Sequence, residues 1–439
     1  MTARIFAVAW RLALLALPWQ TRWFADASLA GWPWEQGRWS FYVSWFLVAA
    51  TVVLGLLIRR PGRVDFRKHR VTIAAVSLLV LSTVLACGTD VAAWKPALQW
   101  WVQVSLLAAF VWTLDRTDIP RRTLAVWVVV AILPHVALGA WQYAIQKVIG
   151  HPWLGIATQL PENPGVSVIE HGEYRVLRMY GGFPHPNIFG GWTAVGFILS
   201  TWLAATASTK MRSLAWSCAA AGLAVALLLS YARGAWLAAV VGMVVLVGLM
   251  VWTHLTKRAV AVEEAPSFQY LGIALAAASL VALAVAGTQY DHLATRFDPS
   301  ARLEAKSIDT RVSSVEVSFD LIRRHPLVGT GPNAELLDMS RRLGQETATE
   351  PLEPPHSAPL LAFADVGILG AIGLVFLLYL FGRAALRNGN PGLAIVVALL
   401  IVSTLDHYPW SLWSGQSLVT LVILLTLAKP TSIRVWQTS

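Results

Sequence analysis

Arginines, histidines and one asparagine, several set beside Gly/Pro turns, carry the chemistry that this otherwise apolar chain can offer. Arg175 and Arg178 precede an apolar run, Arg233 stands in Ser230-Tyr231-Ala232-Arg233-Gly234, and Arg311 falls in a later polar stretch. A guanidinium presents a planar fork of donors to phosphate oxygens, so arginines at the edge of hydrocarbon point to an anion. Arg233 is the sharpest case, because its turn is the whole polar content between two apolar runs; the plain alternative is an arginine snorkelling from a helix end. His356 lies in Pro354-Pro355-His356-Ser357-Ala358, where a rigid proline pair sets how the chain enters the next apolar run. An imidazole that titrates near pH ~6.5 is available at neutral pH to take a proton from a hydroxyl, against the alternative of an interfacial histidine bonded to backbone. His185 and Asn187, in Gly181–Gly191 (GGFPHPNIFGG), occupy a Gly/Pro-rich helix start that brings backbone N–H groups close to a ligand; the alternative is an ordinary N-cap by Asn187. His407, beside Asp406, reads as structural. His151, His171 and His325 have no metal-ligand spacing, and no metal site is expected.

The chain has no Walker loop, dinucleotide fingerprint or paired-acid motif. ATP and sugar nucleotides are therefore not the expected donors, and no cofactor is implied. A group already activated on a lipid diphosphate fits instead: its phosphates would meet the arginines at the interface while its tail lies in an apolar groove between helices.

The frame that must position these residues is a membrane protein. Of 439 residues 56% are hydrophobic and 13% charged, with 22 Trp and a mean hydropathy of +0.58, a balance foreign to soluble domains. The apolar runs predict an all-α polytopic membrane protein with about twelve transmembrane helices, at 4–19, 39–58, 71–88, 96–114, 123–146, 187–207, 214–230, 236–253, 269–287, 358–381, 392–404 and 411–428. The first 19 residues, with Arg4 ahead of an apolar stretch that Arg11 interrupts, read as a retained helix rather than a signal peptide. Cys87 and Cys218 fall inside spans and read as small apolar residues. The net charge of +10 sits in short connections rather than on one soluble face, so no nucleic-acid partner is expected.

Every second connection is basic: Arg59, Arg60, Arg63, Arg67, Lys68 and Arg70; Arg116, Arg121 and Arg122; Lys210 and Arg212; Lys257 and Arg258; Arg383 and Arg387; Lys429 and Arg434. The positive-inside rule makes these cytoplasmic, with both termini. Residues 1–287 then hold helices one to nine with a periplasmic loop near 147–186, residues 288–357 form a large helical periplasmic loop between spans nine and ten, and 358–439 hold the last three spans and a cytoplasmic C-terminus. In the large loop Val312, Val315, Phe319 and Ile322 recur at helical spacing, predicting an amphipathic helix over 309–324 along the membrane surface, ended at His325-Pro326. Pro326–Asn333 reads as a turn, Ala334–Gln345 as a second short helix, and Glu346–Pro355 as acidic and Pro-rich.

Three patches resemble the O-antigen ligase and polymerase superfamily of membrane glycosyltransferases. They are Arg178 followed by Gly181–Gly190 (GGFPHPNIFG); Ser230–Gly234 (SYARG); and Asp309-Thr310-Arg311 through His325–Gly331 (HPLVGTG) to His356 and Leu360–Gly370 (LLAFADVGILG). Ser357 and Val315 stand where the family often has Asn and Trp, which leaves those two neighbours without a role. The resemblance implies an inverting, metal-independent transfer from an undecaprenyl-diphosphate-linked glycan donor at the periplasmic face of the bacterial inner membrane, among membrane lipids. His356 would be general base on an acceptor sugar hydroxyl, Arg311 and Arg233 would stabilise the departing diphosphate, and Arg178, Arg175, His185 and Asn187 would bind substrate. Within the superfamily about twelve spans and one dominant late loop favour the O-antigen ligase, whose acceptor is lipid A–core oligosaccharide, over a polymerase or a protein O-oligosaccharyltransferase. The motifs imply no oligomeric state. A secondary transporter is the reading from another class, and Asp365 is the plainest ionisable group inside a span on which it would lean.

Overall fold

The computed structural model of the chain describes residues 2–58, 66–117, 119–172, 174–256, 265–342, 351–389 and 391–429. The basic residues Arg59, Arg60, Arg63, Lys257, Arg258 and Arg434, the side chains of Arg67 and Lys68, and the segment from Gln345 to Glu350 lie outside the described residues. Each of the twelve expected spans is a helix: α1 (Thr2–Ala16), α2 (Val43–Ile58), α3 (Phe66–Thr89), α4 (Trp94–Asp115), α5 (Arg121–Ile145), α6 (Pro186–Ala205), α7 (Lys210–Leu229), α8 (Arg233–Leu255), α9 (Phe268–Thr288), α13 (Ala358–Asn388), α14 (Gly392–Leu405) and α16 (Trp413–Leu427). Among the described residues four further α-helices are α10 (Tyr290–Thr295), the 23-residue α11 (Arg302–Arg324), α12 (Glu335–Arg342) and α15 (Tyr408–Ser411). Among the described residues eight helices are long and apolar enough to cross a bilayer, and α2, α14 and α16 are shorter apolar helices. The chain is an all-α polytopic membrane protein.

Three two-stranded antiparallel ribbons were not expected. β1 (Arg22–Ala25) pairs with β4 (Trp39–Tyr42), β2 (Ser28–Leu29) with β3 (Trp32–Pro33), and β5 (Val168–His171) with β6 (Tyr174–Leu177). The second span therefore starts at Val43 rather than at 39, and the loop near 147–186 carries a hairpin. The amphipathic helix also begins earlier than its apolar spacing suggested, at Arg302, and leaves Val312, Val315 and Phe319 exposed. That row of exposed apolar side chains suits a helix lying along a lipid surface.

α6 is the central pillar, buried along nearly its whole length and packed against α5, α7, α8, α9 and α14. A helix apolar on every side belongs inside a bundle, and its small residues let neighbours come close. A β-carbon at Gly190 would stand 2.8 Å from Ala232 Cβ and 2.9 Å from Ala235 Cβ, and one at Gly191 would strike the Tyr408 hydroxyl. The glycines of the GGFPHPNIFGG motif thus bring α6 against the start of α8 and against α15.

α13 is broken at Gly367, whose φ is 57° and ψ −168°, a conformation that glycine alone adopts readily. In an unbroken helix Ile368 and Leu369 would donate to Ala364 and Asp365. Here Ile368 N donates to Pro326 O at 2.9 Å and Leu369 N to Leu327 O at 3.0 Å, while Ala364 O accepts from Thr330 N at 3.0 Å and Asp365 O from Gly331 N at 2.8 Å. Val366 O accepts from Ser82 Oγ of α3 at 2.7 Å. The HPLVGTG turn therefore replaces the two missing helix bonds, the condition for irregular backbone at membrane depth. The Asp365 carboxylate accepts from Asn333 N at 3.0 Å and Trp410 Nε1 at 2.7 Å, so this acid clamps the loop to α13.

Candidate active site

The turn between α7 and α8 is the hub of the site. Tyr231 holds a left-handed φ of 50°, unfavourable for a bulky residue and characteristic of functional turns. That twist turns its carbonyl toward Arg296, whose Nε and Nη2 donate to it at 3.2 and 3.0 Å. The preceding carbonyl, of Ser230, accepts from Arg178 Nε at 2.7 Å. Arg233 is the first residue of α8 rather than part of a loop; its Nη1 donates to Arg296 O at 2.9 Å and its Nη2 lies 3.0 Å from Glu304 Oε2. Glu304, buried on α11, pairs with Arg296 through its other oxygen. Arg311 lies two turns along α11 from Glu304, on the same side, and makes no side-chain hydrogen bond or ion pair among the described residues.

One cleft gathers these groups. It is lined by Asn187, Arg233, Arg296, Arg311, Asp406 and Tyr408, with Ala232, Gly234 and Ala235 at the start of α8. No side chain caps that helix, so its first N–H groups and the positive end of its dipole face the cleft. Arg178 stands behind Asn187. Its burial, followed by the charges of Arg296 and Arg311, lowers its pKa to about 9. Burial and then Arg233 likewise lower that of Arg296, against the pull of Glu304. Four guanidinium groups against the carboxylates Glu304 and Asp406 leave an excess of two positive charges. Cations that depress one another's protonation favour binding of an anion.

Asn187 ties this cluster to the next. Its Oδ1 accepts from Arg178 Nη2 at 2.7 Å, and its Nδ2 donates to Asp406 Oδ2 at 2.9 Å. The N-cap of α6 is His185, not Asn187: His185 Nδ1 accepts from Asn187 N at 3.1 Å, and Nε2 bonds Ser167 Oγ at 2.8 Å. Burial and the nearby Arg178 push its pKa down to about 3, so the ring is neutral and both nitrogens are engaged. Asp406 is ionised despite burial, because His407, His356, His185 and the Asn187 hydrogen bond together outweigh the desolvation.

His356 sits beside this carboxylate. Its Nε2 lies 3.2 Å from Glu353 Oε2 and its backbone N donates to Ser314 Oγ at 3.3 Å, while its ring packs edge-on against His407 with centroids 5.6 Å apart. Burial opposes charging the ring, yet the Glu353 hydrogen bond and the Asp406 and Glu353 charges outweigh it and hold its pKa above the ordinary value. Ligand atoms of His356, Asp406 and His407 lie within 4.8 Å of one another, a grouping that spacing along the chain did not suggest. His407, expected to be structural, belongs to it; its Nδ1 bonds Ser411 Oγ at 2.7 Å.

The fold thus places Arg233, Arg311 and Asn187 on one cleft, Arg178 directly behind it, and His356 next to its Asp406 wall. Arg175 is elsewhere, on β6 with its Nε 3.3 Å from Glu170 Oε1, an acid that also holds Arg302. Arg296, Glu304, Glu353 and Asp406 were not singled out by sequence. Each is a single polar residue in an ordinary loop or helix, and only the packing of distant segments reveals it.

Residues 218–375 match the family model described as O-antigen ligase, a stretch that runs from α7 through the Arg233 turn, α11 and His356 to α13. No curated protein matches the chain. Over this segment the chain is similar to the O-antigen ligase family, which supports the resemblance carried by its sequence motifs.

Proposed function

We propose that the protein is an O-antigen ligase, which moves a glycan from undecaprenyl diphosphate to a sugar hydroxyl of lipid A–core oligosaccharide at the periplasmic face of the inner membrane, with both termini in the cytoplasm. The observation that carries the reading is the convergence of Arg233, Arg296 and Arg311 on one cleft whose Asp406 wall adjoins His356. Two excess positive charges match the charge of a diphosphate diester. An apolar groove of about 400 Å³, lined by Leu227, Trp236, Ala239, Val240, Met243 and Leu275, starts one turn below Arg233 and suits the isoprenoid tail.

In the reaction His356 Nδ1, the ring nitrogen not bonded to Glu353, takes the proton of the acceptor hydroxyl as its oxygen attacks the anomeric carbon from the face opposite the phosphate. The bond from that carbon to the phosphate oxygen breaks, its electron pair leaves with undecaprenyl diphosphate, and the configuration inverts. Negative charge grows on the leaving phosphate in the transition state, so preorganised guanidinium donors stabilise that state more than the ground state. Glu353 and Asp406 orient the ring and stabilise the imidazolium that forms. The transfer needs no metal: Asp406 is committed to Asn187 and to His407 N, and His407 Nδ1 to Ser411, while the arginines supply the positive charge.

The test combines purified protein with lipid-linked glycan and lipid A–core and resolves the products on a gel. The joined product is expected. Lengthening of the carrier-linked glycan alone would identify a polymerase, and uptake into vesicles without any glycan product would overturn the enzyme reading. Asp365, the acid a transporter would use, is already bound by Asn333 N and Trp410 Nε1.

A further inference from the structure

A second cleft, distinct from the arginine-lined one, opens on His356 from the other side of α11. It has a volume of about 610 Å³, within the range of about 300–1,000 Å³ typical of small-molecule sites. Its floor is one face of α11, where Lys306, Thr310, Ser313 and Val317 recur at helical spacing. Glu304 and Arg311 point from a different face into the arginine cleft, so α11 separates the two. The opposite wall is the 351–356 segment, and the rim is Trp32, 38% exposed on the β2–β3 ribbon. Its lining holds an aromatic ring, the imidazole of His356, hydroxyls, an amine and the carboxylates of Asp309 and Glu353, set among apolar side chains that include Met339, Leu352 and Pro355.

An aromatic face and apolar side chains that can cover the C–H side of a pyranose, beside short polar side chains that can exchange hydrogen bonds with its hydroxyls, are suited to sugar and ill suited to a bare anion. We propose that this cleft is the acceptor subsite: an oligosaccharide lies along the Lys306–Val317 face of α11, rests a sugar ring on Trp32, and presents its terminal hydroxyl to the imidazole of His356. The inference rests on His356 being the base. It goes further in assigning the acceptor to one side of α11 and the lipid diphosphate to the other, so that the two substrates meet only at His356. Trp32 and Thr310 then determine acceptor affinity without touching the reacting atoms.

The experiment measures transfer by purified protein with donor and lipid A–core each varied, for wild type, Trp32→Ala, Trp32→Phe, Thr310→Ala and Trp153→Ala. Trp153 is an exposed loop tryptophan outside the cleft. Trp32→Ala should raise the KM for lipid A–core at least 10-fold and Thr310→Ala by several-fold, with donor KM and kcat near wild type; Trp32→Phe should recover most of the affinity and Trp153→Ala should change nothing. In parallel, delipidated core oligosaccharide should bind His356→Ala protein, by saturation-transfer NMR, and the addition of Trp32→Ala should abolish the signal. An unchanged acceptor KM in Trp32→Ala and Thr310→Ala, a change confined to donor KM, or undiminished NMR binding would each overturn the acceptor subsite while leaving the catalytic reading intact. Transfer by His356→Ala at wild-type rate would instead overturn the catalytic reading itself.

Discussion

Arg178 and Asp406 share a single partner, the amide of Asn187, which accepts from the arginine at 2.7 Å and donates to the carboxylate at 2.9 Å. The amide has both a donor and an acceptor, so it joins a cation of the diphosphate cleft to the anion that faces His356. A carboxylate or an alkyl side chain there cannot do both.

Asn187→Ala leaves a buried guanidinium nitrogen and a buried carboxylate oxygen without partners. Hydrogen bonds to charged groups are worth about 1.5–3 kcal/mol, so kcat/KM in the purified transfer assay should fall roughly 10- to 100-fold. Asn187→Asp keeps the acceptor for Arg178 but sets a second negative charge against Asp406, and should lose at least as much. Activity of Asn187→Asp equal to wild type would show that the link to Asp406 has no function.

His356 acts as base only when neutral, and the adjoining carboxylates raise its pKa. The transfer rate should therefore rise as pH climbs through that raised pKa. Glu353→Gln removes the hydrogen-bonded charge, which lowers the His356 pKa, so the acid limb of the pH–rate profile should move to lower pH. A limb that stays in place would assign it to another group.

Glu304 lies between Arg233 and Arg296 with its side chain 4% exposed. Glu304→Ala strands two guanidinium groups in a cluster that already holds Arg178 and Arg311. Removing one partner of a buried ion pair costs about 3–5 kcal/mol, and thermal denaturation in detergent should begin at a lower temperature. Undecaprenyl diphosphate restores negative charge to the cluster and should raise the melting temperature more in Glu304→Ala than in wild type, since a ligand stabilises the state that binds it. An equal or smaller rise in the variant would count against the diphosphate assignment.

Gly367→Ala tests the coupling of the loop to α13. A β-carbon there would collide with the Leu327–Val328 backbone, and the positive φ is strained for any L-residue besides. Strained backbone costs about 1–3 kcal/mol per residue, and the 326–331 turn should lose amide-exchange protection together with 364–369. Protection unchanged in both segments would mean that they are held independently.

The helices were legible because hydrocarbon demands long apolar runs, and every run predicted became a helix with ends shifted by a few residues. Gly/Pro motifs were legible as special backbone, though not as what they build. The HPLVGTG and ADVGILG patches are two halves of one interlock, visible only once residues 326–331 meet 364–369. The ribbons escaped notice because their strands are only two to four residues long, too short for period-two alternation to stand out. In the site, arginines beside apolar runs were conspicuous, since charge at a membrane edge needs a reason. Asp406 passed as an ordinary turn acid, and Glu304 as a charge on an amphipathic helix; each gains its role from a partner far along the chain, Asn187 for Asp406 and Arg233 for Glu304. Arg175 failed for the opposite reason, a conspicuous cation that the hairpin gives to Glu170.

The most direct test of the account is the amount of joined glycan–lipid A–core product formed by purified Arg311→Ala protein, confirmed as folded by its melting temperature. Arg311 makes no side-chain hydrogen bond or ion pair among the described residues, so its removal should leave stability near wild type while eliminating a transition-state donor worth about 2.7–4 kcal/mol, a loss of roughly 10²–10³ in rate. Product formed at near wild-type rate by the folded variant would contradict the claim that the guanidinium cluster stabilises a departing diphosphate.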